Sequence, residues 1–301
     1  MDISMNMGGV LKKYGRNVAE AAKAIKAAGF DAVDFDLCGM DEDDCEFNGD
    51  GYRELAARYR AEIEATGLYV NQTHTPFTFK NWDNEEHYNN VIYPRIVRSL
   101  EISALLGAEI AIVHPLHYAE YHGHEEEWFE RNMVFYRSLL PYCEKYGIKI
   151  AVENMFRGDP RRKRIAHDTC SRKEEFIRYV DTLNSEYVVA CLDVGHVGLP
   201  VQDDEAYDVA RALGHDRLKA LHIHDNDYQN DRHVPPYYGI MNWTEIAKSL
   251  GEIDYTGVFT YEIGSRSFAT VEDEFMPVTL KYFADIARHI TSMIDRSRPA
   301  K

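Results

Sequence analysis

Residues 188–193 read VVACLD, five small or apolar side chains closed by an aspartate, and three further runs repeat the design: KIAVEN (149–154), KALHIH (219–224) and VFTYEI (258–263). Continuous apolar runs suit strands covered on both faces, the position of a strand in a parallel sheet. Working outward, four more β-rich runs precede them: DISMNM (2–7), AVDFDL (32–37), YVNQTH (69–74) and EIAIVH (109–114). Between the runs lie amphipathic segments such as NVAEAAKAIKAAG, YRELAARYRAEIEATG and EEFIRYVDTL. Gly29, Gly67, Gly107 and Gly147 each stand just before a strand, where a helix ends in the left-handed conformation. Eight β-then-α units without an evident antiparallel hairpin predict parallel strands, and 301 residues suit one α/β domain, 1–301, closed as a (β/α)8 TIM barrel. An open doubly wound sheet competes, but no G-x-G-x-x-G follows the first run.

Composition narrows the function classes. The formal net charge of −16 repels polyanions, so no nucleic-acid partner is expected. It places little constraint on a small sugar or a single phosphate. No apolar run is long enough to span a bilayer, and the opening MDISMNMGGVLKKYG lacks the apolar core of a secretory leader. No membrane partner and a cytoplasmic location are therefore expected. The five cysteines are odd in number and without C-x-x-C spacing, which predicts free thiols, with Cys191 a small buried one inside its strand.

Most of the predicted strands end in a residue able to bind a metal or move a proton. His74 closes the third, His114 the fourth, Glu153 the fifth, Asp193 the sixth, His222 and His224 the seventh, and Glu262 the eighth. In a barrel these ends share one mouth, where active sites lie. A lone histidine after a strand is more often a hydrogen-bonded structural residue, which weighs on His74 and His114. A glutamate inside AVENM or TYEIG is different, because an ionised carboxylate buried among β residues is costly unless paired or bound to a cation. Glu153, Asp193, Glu262 and a histidine of the seventh strand, His222 or His224, compensate one another if one divalent ion sits among them, whose identity (Mn, Co, Zn or Mg) the three-carboxylate, one-imidazole set leaves open. His196, three residues after Asp193, is placed to bind substrate or a second metal.

Three other stretches stand out. HDNDYQNDRHVPPYYGIMNW after the seventh strand is long and polar, as functional loops are. Asn242 and Glu245 in it read as a helix-capping box, whereas Asp231, Arg232 and His233 have no such structural role. The segment FRGDPRRKR (156–164) is basic in an acidic chain, either a solvated loop or a contact for an anionic substrate. The aromatics Phe77, Phe79, Trp82, Tyr237 and Tyr238 suit a pocket lining or a subunit contact equally.

VENM, CLDVGH, the ALHIHDND…DRHVPP…W stretch and TYEIG resemble the xylose isomerase-like TIM-barrel superfamily, which holds sugar-phosphate isomerases and epimerases together with endonuclease IV (the AP endonuclease family 2). The resemblance runs from the third strand to the eighth. It implies Glu153, Asp193, His222 and Glu262 as ligands of one divalent metal, with His222 favoured over His224 because His222-x-x-Asp225 fits the ribulose-phosphate epimerase pattern. It further implies a metal-dependent isomerase acting on a small sugar or sugar phosphate through an enediolate, with Glu153 and Glu262 as the acid/base pair. His196, His224, Arg232, His74 and His114 would bind substrate, and Asp231 and His233 are candidate further metal ligands. Barrels of this superfamily are often dimers or tetramers, so the resemblance admits a homo-oligomer. Two alternatives share the site. One is a dehydratase of the inosose or dehydroshikimate type. The other is an endonuclease IV-like phosphodiesterase, whose trinuclear zinc set matches His74, His114, Glu153, Asp193, His196, His222, Asp231, His233 and Glu262. Against the nuclease stand the charge and the lack of a Gly-Ala-His start in DISMNMGG.

Overall fold

The computed structural model describes residues 1–78, 84–117, 120–200 and 204–300. Its centre is a sheet of eight parallel strands: β1 (Ile3–Asn6), β2 (Ala32–Asp36), β3 (Tyr69–His74), β4 (Ile110–Ile112), β5 (Lys149–Glu153), β6 (Val188–Asp193), β7 (Leu218–His222) and β8 (Phe259–Tyr261). They run in chain order, with β8 paired to β1. The ring is closed between β7 and β8 by one parallel bridge, Ile223 to Tyr261. There Ile223 N donates to Thr260 O at 2.9 Å and Glu262 N to Ile223 O at 3.1 Å. This is the (β/α)8 TIM barrel, and all eight strands fall within the runs read from the sequence or one residue beyond.

Eight main helices follow the strands in turn: α1 (Val18–Ala28), α2 (Tyr52–Glu64), α3 (Tyr93–Leu106), α4 (Glu125–Tyr146), α5 (Lys173–Leu183), α6 (Ala206–Arg217), α7 (Trp243–Glu252) and α8 (Met276–Arg296). Asn17 opens α1 by accepting from Glu20 N at 3.1 Å, and Gly29 closes it at φ 104°, a conformation that costs a residue with a Cβ about 1–2 kcal/mol. The apolar stripes of these helices cover the outer face of the barrel. Inside it, Ile112, Ala151, Val189, Cys191 and Ala220 form a separate small cluster. Cys191 is fully buried and all five cysteines are free. No helix among the described residues is long and apolar enough to cross a membrane.

Two details differ from the sequence reading. FRGDPRRKR is not a plain loop: Phe156–Asp159 and Arg164–His167 form an antiparallel hairpin that projects after β5. Only half of the capping box forms at α7. Asn242 accepts from Glu245 N at 3.2 Å, while the Glu245 carboxylate is taken by Arg211 at 3.2 Å.

Candidate metal centre

The register of the sheet gathers the polar strand ends. Asp193 is the direct partner of His222 across β6 and β7, and Glu153 that of Cys191 across β5 and β6. Partners in register project to the same side of a sheet. Glu153, Asp193, His222 and Glu262 consequently meet at the barrel mouth, each offering an atom within 4.8 Å of the others. His222 Nδ1 lies 2.9 Å from Glu153 Oε1, 3.5 Å from Glu262 Oε2 and 4.0 Å from Asp193 Oδ2.

Three further groups adjoin this one among the described residues, Asp34, His74 and His222 making one of them. His74, His114 and Glu153 form another, with His114 Nε2 at 3.1 Å from Glu153 Oε2. His196, His224, Asp231 and His233 form the third, with His233 Nε2 at 2.8 Å from Asp231 Oδ2 and the rings of His224 and His233 stacked at 4.0 Å. His224 therefore faces Asp193 at 3.0 Å from outside the first four residues rather than joining them. Arg232 is not drawn in: its half-exposed guanidinium meets Asp227 at 3.7 Å and does not line the cavity above the cluster.

Three residues to which the sequence reading gave no role in the site organise it. Asp34, fully buried on β2, lies 3.2 Å from His74 Nδ1 and so turns His74 Nε2 toward Glu262 at 3.5 Å. The signal was available, since Asp34 interrupts AVDFDL as Glu153 interrupts AVENM. Asn154 ties β5 to β6 by a reciprocal pair, Nδ2 to Asp193 O and Asp193 N to Oδ1, both 2.9 Å. Asp225 accepts four N–H groups, from Asn226, Tyr237, Met241 and the Trp243 indole, and thereby shapes the loop that delivers Asp231 and His233.

The electrostatics are those of a site with excess negative charge. Burial opposes ionisation of Glu153, but His222 and His114 hold it well below the usual carboxylate range. Burial pushes Glu262 well above that range; His74 opposes this, and the nearby Asp193 and Glu153 charges add to it. Burial works against a charged His74, yet Asp34 raises it to about 10. His233 is raised to about 9 against its burial, chiefly by Asp231.

This donor set fits divalent cations. Glu262 Oε2, His222 Nε2, His224 Nδ1 and Asp231 Oδ1 are buried with no hydrogen-bond partner among the described residues, a condition native proteins rarely tolerate without an ion or water. Above the cluster opens a cavity of about 330 Å³ lined by Asp36, His74, Phe77, His114, His233 and Glu262, within the range of small-molecule sites. Of the singled-out aromatics, Phe77 stacks on His114 at 5.1 Å, whereas Tyr237 and Tyr238 are exposed on the outer surface. Phe79 and Trp82 lie outside the described residues.

A family model described as a xylose isomerase-like TIM barrel matches residues 22–284. An uncharacterized protein of Methanocaldococcus jannaschii is 27% identical over 213 residues, spanning 69% of this chain and 67% of that protein. Among solved structures, the IolI protein with a bound zinc atom superposes with a TM-score of 0.73 at 18% identity, covering 97% of this chain and 100% of that one. A D-psicose 3-epimerase determined in the presence of D-fructose gives 0.71 at 18% identity, covering 96% and 99%. At such identities the likeness of the structures establishes the fold.

Proposed function

The chain belongs to the xylose isomerase-like TIM-barrel family, and from that premise we propose that it is a divalent-metal-dependent isomerase or epimerase of a small sugar or sugar phosphate. The observation that carries the reading is the convergence of Glu153, Asp193, His222 and Glu262 beneath a cavity of monosaccharide size. Similar folds in a psicose 3-epimerase and a zinc-binding IolI protein support it.

Glu153, Asp193, His222 and Glu262 would hold the cation, which when bound supplies Lewis-acid polarisation of a substrate carbonyl. The two glutamates differ at rest. In the metal-free site His222 and His114 hold Glu153 ionised while burial keeps Glu262 protonated; Glu262 would give that proton up on taking the cation, so the acid of the pair is recharged from solvent. In the forward step one carboxylate removes the proton from the carbon beside the carbonyl. The C–H electron pair becomes the new C=C bond and the carbonyl π pair moves to its oxygen, giving an enediolate. The other glutamate returns a proton to the opposite face for epimerisation, or to the neighbouring carbon for isomerisation. His74 and His114, which line the cavity, would hold substrate oxygens.

A second reading draws on the adjoining groups, which together with the central four bring in all nine residues of the trinuclear set named above. That favours a phosphodiesterase of the endonuclease IV type, against the net charge of −16. Metal counting by mass spectrometry on purified protein, beside Glu153→Ala and Glu262→Ala, tests both. One metal per chain, lost in both variants, with solvent-deuterium incorporation into one member of a sugar panel, supports the isomerase. Three zincs and nicking of abasic DNA support the nuclease. A protein that neither carries nor takes up metal sinks both readings.

A further inference from the structure

The hairpin after β5 builds a second cavity. Its register pairs Arg157 with Ala166 and Asp159 with Arg164, so Arg157 and Arg164 stand diagonally on one face with only the Ala166 methyl filling the space opposite Arg157. The adjacent Phe156 instead packs its ring edge-on to His196, centroids 4.8 Å apart, which roots the hairpin in the metal centre. Facing the arginines lie Glu120, Tyr121, His122 and Glu125, and the space enclosed is about 490 Å³.

Charge within this cavity does not balance locally. Each of its carboxylates is already engaged: Glu120 by Arg161 at 3.2 Å, Glu125 by His122 at 3.5 Å, and Asp159 by Arg162 at 2.6 Å. Asp159 also accepts the backbone N–H groups of Arg161 and Arg162 at 2.9 and 3.1 Å, so it is committed to shaping the turn. Arg157, Arg164 and Arg172 remain. All three line the cavity, and none has an ion pair or side-chain hydrogen bond among the described residues. Arg157 and Arg164 are uncompensated, and Arg172, within the field of Glu125 and Glu175, adds a third guanidinium to the space; their flat forks match phosphate oxygens two at a time. In a chain of net charge −16 a general excess of basic residues does not account for them.

We propose that this cleft binds a phosphate monoester of small-molecule size, its phosphate held by Arg157, Arg164 and Arg172. The volume exceeds what a phosphate alone needs and lies within the range of small-ligand sites. The phosphate has two sources, the substrate's own tail reaching past the hairpin or a separate phosphorylated ligand. The cleft stands independently of the proposed isomerase; only the first source rests on that reading.

Calorimetry with inorganic phosphate, ribose 5-phosphate and ribose tests the inference on the intact protein and on an Arg157→Ala/Arg164→Ala double variant. Both phosphates are expected to bind the wild type and to weaken roughly tenfold or more in the double variant. Arg164 is exposed and Arg157 half-buried without a partner, so the variant should melt as the wild type does. Ribose 5-phosphate binding more tightly than phosphate, with the surplus lost to a chelator, assigns the site to the substrate. Equal, chelator-insensitive affinities assign it to a separate ligand, and either result supports the cleft. Phosphate that binds both proteins alike, or fails to bind the wild type at millimolar concentration, overturns it.

Discussion

Replacing Asp225 with Asn isolates what one buried carboxylate contributes. Its Oδ1 accepts Asn226 N at 2.8 Å and Met241 N at 3.2 Å, and its Oδ2 accepts Tyr237 N at 2.9 Å and the Trp243 indole N–H at 2.8 Å. An asparagine of the same shape keeps one accepting oxygen and turns an NH2 toward the other two donors. Two charge-assisted hydrogen bonds are lost, each with a net contribution of about 1.5–3 kcal/mol, for a total of roughly 3–6 kcal/mol. The amide also avoids the desolvation cost of a buried charge, so the lower end, about 3 kcal/mol, is expected. Against a total stability of about 5–15 kcal/mol this is a large change, and at about 2 °C per kcal/mol it lowers Tm by roughly 6 °C. Urea unfolding and thermal melting measure it. Because Asp225 anchors the loop bearing Asp231 and His233, the variant should also lose any metal held by these two residues while keeping metal held by Glu153, Asp193 and Glu262. A stability loss below about 1 kcal/mol with unchanged metal content would refute the reasoning, since the four donors would then have other partners.

Gly195→Ala would place a Cβ 2.0 Å from His224 Cε1, so the ring must shift; a loss of about 1–3 kcal/mol and displaced His224 ring resonances in NMR are expected, and an unmoved ring would contradict the packing. Burial raises Glu175 to about 7, against the hydrogen bond it accepts from Tyr121. The folded state therefore holds a proton that the unfolded state releases above about pH 4.5, and stability falls between about pH 4.5 and 7 and levels off beyond. Glu175→Gln, which retains an oxygen for Tyr121 and Cys170 N, should stabilise at pH 8 and be near neutral at pH 4, as urea titrations at both values would reveal. Loading metal-stripped protein with Zn or Mn at pH 7 should release about one proton per chain or more, because Glu262 is protonated beforehand. Calorimetry in buffers of different ionisation enthalpy counts those protons, and no release would show that Glu262 is not a ligand.

The barrel was legible because strands buried on both faces leave uninterrupted apolar runs, and because a carboxylate ending such a run has few structural explanations. The hairpin was not legible. No residue of FRGD or RIAH is buried, most being half-buried, so neither face carries an apolar stripe to mark a strand. His74, His114, Glu153, Asp193, His222 and Glu262 could be named from the sequence because each stands at or just beyond the end of a strand. The resemblance put His196 with Asp231 and His233, but that His224 stacks into this group could not be read, since it depends on a loop whose path is set by the four hydrogen bonds to Asp225. Arg232 was singled out by its neighbours in the chain, but in space it faces Asp227 instead.

The closure of the barrel through the single Ile223–Tyr261 bridge makes β7–β8 the thinnest seam in the cylinder. His222 lies on one bank of that seam and Glu262 on the other, their side chains 3.5 Å apart. An ion gripping both would act as a clasp, so local opening of the wall and occupancy of the mouth are one equilibrium viewed from two sides. The amide protons of Ile223 and Glu262 then become gauges of the clasp, trading with solvent quickly when it is undone and slowly when it is shut.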